Sequence, residues 1–289
     1  MPAPQLFTDP AAWQVRCGEA RDSGQRLALV PTMGYLHDGH RSLLREARRR
    51  ADQGGRRGLA LASIVVNPTQ FGPGEDLSRY PRDLSGDLAT CEEAGIDLVL
   101  APSDPALMFA PDHQTWVEVE RASQGLCGGS RPGHFRGVAT VVAKLLNLTR
   151  PHLAVFGEKD WQQLAVIRAM VSDLAFGVEI VGMPIVREAD GLARSSRNAY
   201  LQPGQRQAAL ALSRSLFEAR DAVAAGQRQV AALTGAARAR LAAAGARLDY
   251  VEIVHPLTLR PVAEAVPGSV MLLAAYIGTT RLIDNLVLP

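Results

Sequence analysis

Through its first two-thirds the chain alternates nearly continuous apolar runs with helical patterns, and few folds accommodate that alternation. Residues 27–30, 59–66, 96–101, 152–156 and 178–181 are runs of Leu, Ile, Val and Ala with little polar interruption. That is the composition of strands buried on both faces of a parallel sheet. Residues 41–51, 84–94, 138–148 and 161–174 lie between them and repeat their apolar side chains at helical intervals. The expected architecture is α/β, a Rossmann-like doubly wound parallel sheet, and such sheets bind ligands beyond the carboxyl ends of their strands.

The pattern changes near Pro184. Residues 190–200 make a polar loop, 205–225 and 230–244 are alanine-rich helical stretches, and 249–254, 270–276 and 281–287 read as strands of a small sheet. A chain of 289 residues is long enough for two cores. The expectation is a Rossmann-like domain over 1–184 and a smaller C-terminal α+β lid domain over 185–289.

A net charge of +2 gives nucleic-acid binding no support. The basic series Arg41, Arg45, Arg48, Arg49 and Arg50 shares its helix with Leu43, Leu44 and Ala47, so it reads as a solvated face. No segment is apolar for long enough to cross a membrane, and residues 1–10 lack a signal peptide's apolar core. Cys17, Cys91 and Cys127 are odd in number and widely spaced, as expected of reduced thiols in a cytoplasmic protein.

The polar motifs fall where the strands end. After Val30 comes Pro31-Thr32-Met33-Gly34-Tyr35-Leu36-His37-Asp38-Gly39-His40, which opens into a helix. A helix N-terminus offers unpaired N–H groups and a partial positive charge, a natural seat for phosphate. Gly34 and Gly39 permit turns and close approaches that a side chain would block. Two imidazoles spaced His-x-Gly-His add donors that can follow negative charge as it grows on a phosphate. The same histidines could be ordinary polar residues at a helix start, or half of a metal site, although no second cluster with metal spacing accompanies them.

After Val66 comes Asn67-Pro68-Thr69-Gln70-Phe71-Gly72, whose amides either satisfy a turn or grip a small hydroxylated substrate. Residues 128–137 gather Arg131, His134 and Arg136 just before a helix, and Arg194-Ser195-Ser196-Arg197-Asn198 supplies donors suited to triphosphate oxygens. Gly157-Glu158-Lys159-Asp160 follows Phe156. Among 31 lysines and arginines only Lys144 and Lys159 are lysine. In a chain so rich in arginine, a retained lysine marks a position that needs a compact ammonium. Lys144 falls in an apolar helical run where a snorkelling lysine is unremarkable; Lys159 falls at a strand end.

Taken in order, 30–34, His37-Asp38-Gly39-His40, 66–71, 131–137, 156–160 and 190–198 resemble the pantothenate synthetase family, from about residue 25 to the C-terminus. That family shares a nucleotidyl-transferring superfamily with the class I aminoacyl-tRNA synthetases. The resemblance implies ATP-dependent condensation of pantoate with β-alanine to pantothenate, a coenzyme A precursor, through a pantoyl adenylate, with release of AMP and pyrophosphate. It implies His37, His40, Lys159, Ser195, Ser196 and Arg197 as catalytic residues. The implied ATP site adds Pro31, Thr32, Met33, Gly34, Gly39, Gly157, Asp160, Val186 and Arg194. Pantoate would meet Gln70 and Gln163, with Asn67, Met33, Arg131 and His134 as further pocket residues.

Magnesium with ATP and a homodimer are also implied, and residues 73–80 are expected to cover a mixed anhydride that must be shielded from water. Arg194 departs from the apolar residue expected before Ser-Ser-Arg. Two other readings keep the histidines: a nucleotidyltransferase that leaves AMP in its product, and a nucleotide sensor that releases neither AMP nor pyrophosphate. Neither explains why the 67–70 and 131–137 loops occur together.

Overall fold

The computed structural model describes residues 2–55 and 57–289. Its first part runs β1 (Gln5–Phe7), α1 (Pro10–Asp22), β2 (Leu27–Thr32), α2 (Asp38–Ala51), β3 (Leu59–Ile64), α3 (Leu84–Ala94), β4 (Leu98–Leu100), α4 (Leu126–Ser130), α5 (His134–Thr149), β5 (Leu153–Gly157), α6 (Trp161–Asp173) and β6 (Glu179–Met183). The remainder is α7 (Pro203–Ala224), α8 (Val230–Ala243), β7 (Arg247–Val254), β8 (Val270–Ile277) and β9 (Thr280–Val287).

Strands β1 to β6 form one parallel sheet in the order β1-β4-β3-β2-β5-β6. Alternate side chains of each strand enter opposite cores. Leu27, Leu29, Leu61, Leu100 and Phe156 face a core completed by α1, α5 and α6, whereas Ala28, Val30, Ala60, Ala62 and Val155 face Leu43, Leu44 and Ala47 of α2 and Cys91 of α3. From β2 the chain winds outward through β3 and β4, then crosses back so that β5 lies on the other side of β2. That reversal opens a crevice at the carboxyl ends of β2 and β5, the place where doubly wound sheets hold ligands.

The last three strands form an antiparallel sheet in the order β7-β8-β9. One face, with Val251, Ile253, Met271, Leu273 and Ala275, packs on α7 and α8. The other, with Tyr250, Val254, Val270, Leu272 and Ala274, joins the core shared by α1, α5 and α6. The α/β pattern and the small C-terminal sheet are as the sequence leads one to expect.

Several details differ. Strand β1 and helix α1 are additions; α1 buries Pro10, Trp13, Cys17 and Ala20 at helical spacing, but among so many polar residues that the stripe is faint. Asp9 caps it by accepting from the N–H groups of Ala11 and Ala12, and Pro10 supplies the first turn. Helices α2 and α5 begin earlier than their apolar stripes, which puts His37, His40 and His134 in or beside first turns. The basic face of α2 is paired as well as solvated: Arg48 bridges Asp52 and Asp97, while Arg49 and Arg50 hold Glu46. Cys17, Cys91 and Cys127 are buried free thiols. Among the described residues no helix is long and apolar enough to cross a membrane.

Candidate active site

Where β2 ends, Thr32 turns the chain by donating from Oγ1 to the Ser63 carbonyl at 2.7 Å while accepting the Gly34 N–H at 3.2 Å. Asp87, at the start of α3, then accepts the N–H groups of Tyr35 at 2.9 Å and Leu36 at 2.7 Å. Gly34 has φ +83°, and a Cβ there would meet Asp87 Oδ2 at 2.7 Å, so glycine is required on both counts. This loop delivers the chain to α2.

The two histidines of that helix start cap it. His37 is the N-cap residue, and its Nδ1 accepts the Gly39 N–H at 3.1 Å; His40 folds back, and its Nδ1 accepts the His37 N–H at 3.2 Å. A Cβ on Gly39 would fall 2.9 Å from the His37 ring, so the spacing His-x-Gly-His is a steric requirement of the double cap. Two amides expected to face a phosphate are therefore occupied by imidazoles. Because a backbone N–H can only donate, both Nδ1 atoms are unprotonated and the proton of each neutral ring lies on Nε2.

Burial, followed by the ammonium of Lys159 and the guanidinium of Arg194, pushes His37 down from 6.5 to about 4. Burial and the adjacent His37 push His40 to about 3. The rings lie 4.1 Å apart between centroids, so they stand side by side as neutral N–H donors at neutral pH.

Lys159 sits on the turn between β5 and α6, with Nζ 3.9 Å from Asp160 and its side chain 20% exposed. The turn is fixed from the small sheet, where Asn285 of β9 donates from Nδ2 to the carbonyls of Glu158 and Lys159, both at 2.9 Å. Next to it Asp284 takes both terminal nitrogens of Arg187 at 2.7 and 2.9 Å. On the opposite wall Ser195 Oγ accepts the Arg197 N–H at 3.3 Å, and Arg197 grips Asp76 with two bonds of 3.1 Å. Arg131 holds Glu75 at 2.6 and 2.7 Å and donates to His134 Nε2 at 3.0 Å. His134 in turn donates from Nδ1 to the Gln70 carbonyl at 2.8 Å, and burial and Arg131 hold its pKa down at about 4.

The two histidines, Lys159, the Ser-Ser-Arg loop, Arg131 and His134 border one cleft with an empty volume, counting its open mouth, of ≈ 1430 Å³. Pro31, Thr32, Met33, His37, Gly39, His40, Gln70, Arg131, His134, Gly157, Lys159, Asp160, Gln163, Val186, Arg194, Ser195, Ser196 and Arg197 all border it. An apolar wall of Val138, Val141, Val142 and Leu145 from α5 closes the end near Gln70.

Gly34 and Asn67 do not reach the cleft. Gly34 serves the turn, and Asn67 is spent within the fold: Oδ1 accepts from Thr69, and Nδ2 donates to Gln70 Oε1 and the Gly137 carbonyl, both at 3.1 Å. Asn67 thus orients Gln70. Asp87, Asp284, Asn285, Glu75 and Asp76 enter from elsewhere without a sequence motif; the one usable signal is the acidic pair Glu75-Asp76 in a chain two of whose anion-binding loops, 128–137 and 194–198, carry arginines.

A doubly wound sheet whose switch point opens between neutral imidazoles, a lysine and a Ser-Ser-Arg loop defines a nucleotide-binding α/β protein of the adenylate-forming kind. Comparison with known proteins narrows the class. The family model for pantoate–β-alanine ligase matches residues 5–287. A pantothenate synthetase of Anaeromyxobacter dehalogenans is 75% identical over 289 residues, all of both chains. The crystal structure of pantothenate synthetase from Thermus thermophilus matches with a TM-score of 0.91 and 45% identity, covering 99% of this chain and 100% of that one. That of pantoate–β-alanine ligase from Francisella tularensis, complexed with β,γ-ATP and β-alanine, matches with a TM-score of 0.79 and 30% identity over 99% of this chain and 98% of that one. The chain belongs to the pantoate–β-alanine ligase family.

Proposed function

We propose that the protein joins pantoate to β-alanine at the expense of ATP, giving pantothenate, AMP and pyrophosphate through an enzyme-bound pantoyl adenylate. The observation that carries this reading is the pair of neutral imidazoles, locked by their own helix cap beside Lys159 at the switch point. A pantoate carboxylate oxygen attacks the α-phosphorus, the bond to the β-phosphate oxygen breaks, and pyrophosphate leaves. His37 and His40 donate from Nε2–H to phosphate oxygens as charge shifts, with no reorganisation needed at that moment. Lys159, Ser195, Ser196 and Arg197 hold the departing phosphates. The β-alanine amine then attacks the acyl carbon and AMP departs.

Pantoate is a dihydroxy acid with two geminal methyl groups. Gln70 and Gln163 supply polar partners for its oxygens, and the α5 wall suits its methyls. Pro31, Thr32, Met33, Gly39, Gly157, Asp160 and Val186 are assigned to the nucleotide, and Arg131 with His134 to the pocket's far side.

Magnesium is assigned to ATP. The donor set fits an ion carried by phosphate: among the described residues no three His, Cys, Asp or Glu side chains gather as a cage, and Asp160 is a carboxylate bordering the cleft. Phosphate oxygens and water would be its main ligands, with Asp160 the protein's contribution. Bound there, the ion neutralises phosphate charge. We also assign residues 1–184 and 185–289 to two domains, the second acting as lid, and expect a cytoplasmic homodimer.

Exchange of labelled pyrophosphate into ATP tests the reading. Pantoate alone should support exchange, and net AMP release should require β-alanine. AMP incorporated into the product, or no pantoate-dependent exchange while the full reaction turns over, would overturn it.

A further inference from the structure

Arg194 occupies the position before Ser-Ser-Arg where an apolar residue is expected, and its side chain does something an apolar residue cannot. Nε and Nη2 both reach Asp38 Oδ2, at 3.1 and 2.5 Å, and Nη1 lies 3.4 Å from Glu188. Asp38 is the first residue of α2, between the two capping histidines' anchor points. Glu188 is held in turn by Arg206 of α7 at 2.5 Å and by Asn198 at 3.1 Å. The backbone N–H of Arg194 bonds the Val186 carbonyl at 2.9 Å, and a Cβ on Gly39 would lie 3.9 Å from that of Arg194. One guanidinium therefore links the Ser-Ser-Arg loop, and through Glu188 helix α7, to the helix start that carries His37 and His40.

Energy is not the purpose of this link. The side chains of Arg194 and Asp38 are 38% and 46% exposed, and ion pairs so wet add little stability. Position and charge are what it sets. Asp38 is an anion flanked in the chain by His37 and Gly39, both of which border a cleft built for anions, and unpaired it would repel a triphosphate.

We propose that Arg194 is a positioning residue for the nucleotide: by gripping Asp38 it fixes the Ser-Ser-Arg loop against the His37–His40 helix start and cancels the carboxylate that would oppose the phosphates. The proposal rests on the ATP-dependent reading above. The groups that face His37 are Lys159, Arg194, Asp38, Asp160 and His40, and Arg194 is one of the cations among them that disfavour its protonation.

The test measures binding of a non-hydrolysable β,γ-analogue of ATP by calorimetry to the wild type, Arg194→Leu, Arg194→Lys, Asp38→Asn and the Arg194→Leu/Asp38→Asn double variant, alongside the pH profile of adenylation. Arg194→Leu should weaken analogue binding roughly fivefold, the upper scale for an exposed pair, and move the acid limb of the profile to higher pH. Arg194→Lys should restore the limb, and removing Asp38's charge in the Leu background should recover most of the lost affinity. Unchanged binding and pH profile in Arg194→Leu, or no recovery in the double variant, overturns the proposal. A wild type that binds no analogue would overturn the ATP reading instead.

Discussion

The two walls of the cleft are prepared in opposite ways. On the β2 side the donors are neutral, half-buried and held by their own backbone: His37 and His40 cap α2 with Nδ1 and keep Nε2–H free. On the opposite side the donors are guanidiniums already engaged by carboxylates, Arg131 with Glu75 and Arg197 with Asp76. The first wall meets a phosphate without rearranging. The second must exchange one anion for another, which delays nothing if the carboxylates sit on a segment that can move. Residues 73–80 carry both carboxylates, so the segment expected to cover the intermediate also supplies stand-in anions for its ligands.

Removing a preset donor should cost most. His37→Ala or His40→Ala should slow single-turnover formation of the adenylate by roughly 10²-fold at saturating substrates, with ATP affinity little changed; a normal rate in both would collapse the contrast between the walls. The neutrality of these rings also has a pH signature. Their folded-state pKa values, about 4 and about 3, lie below the ordinary 6.5. The unfolded chain therefore takes up protons that the folded chain refuses as pH falls below about 6.5, so stability present at neutral pH declines steadily toward pH 4. The lowered carboxyls of Glu75 and Asp76 lose their contribution in the same direction. Thermal denaturation across that range checks the sign, and an NMR titration of His40 centred near 6.5 would contradict it.

Lys159 comes next in size. Its turn is clamped by Asn285, so a planar guanidinium cannot settle where the compact ammonium does. Lys159→Arg should lower pyrophosphate release about tenfold with circular dichroism unchanged. Lys144→Arg is the control: that ammonium donates to the Met108 carbonyl and lies over the Phe109 ring, away from the cleft. Equal activity in both variants would mean that geometry at Lys159 does not matter.

The smallest effect sharpens the other wall. Asp76→Asn frees Arg197 from its stand-in anion and should tighten ATP binding roughly threefold, within the range of a partly exposed ion pair. Weaker binding would show that Asp76 serves the closed, liganded state and does not compete with phosphate.

Much of this arrangement is legible in the sequence because it is local. The His-x-Gly-His spacing, the Ser-Ser-Arg loop and the lysine after β5 lie at strand ends that hydrophobic periodicity locates. Asn67 is instructive as a failure of that logic: its type fits substrate binding, but the approach of α5 turns its amide inward to Gly137. Asp87, Asp76 and Asn285 lie 52, 121 and up to 127 residues from the groups they hold. No spacing rule reaches that far.

By itself the sequence determined the alternation of strands and helices, the switch point that follows from it, and the kinds of donor at each strand end, since these depend on neighbours a few residues apart. The tertiary structure decided which nitrogen of each histidine is free, which arginines are already paired, and which distant carboxylate or amide fixes each loop. Those outcomes depend on desolvation and on contacts closed between remote segments, and neither exists until the two sheets have packed.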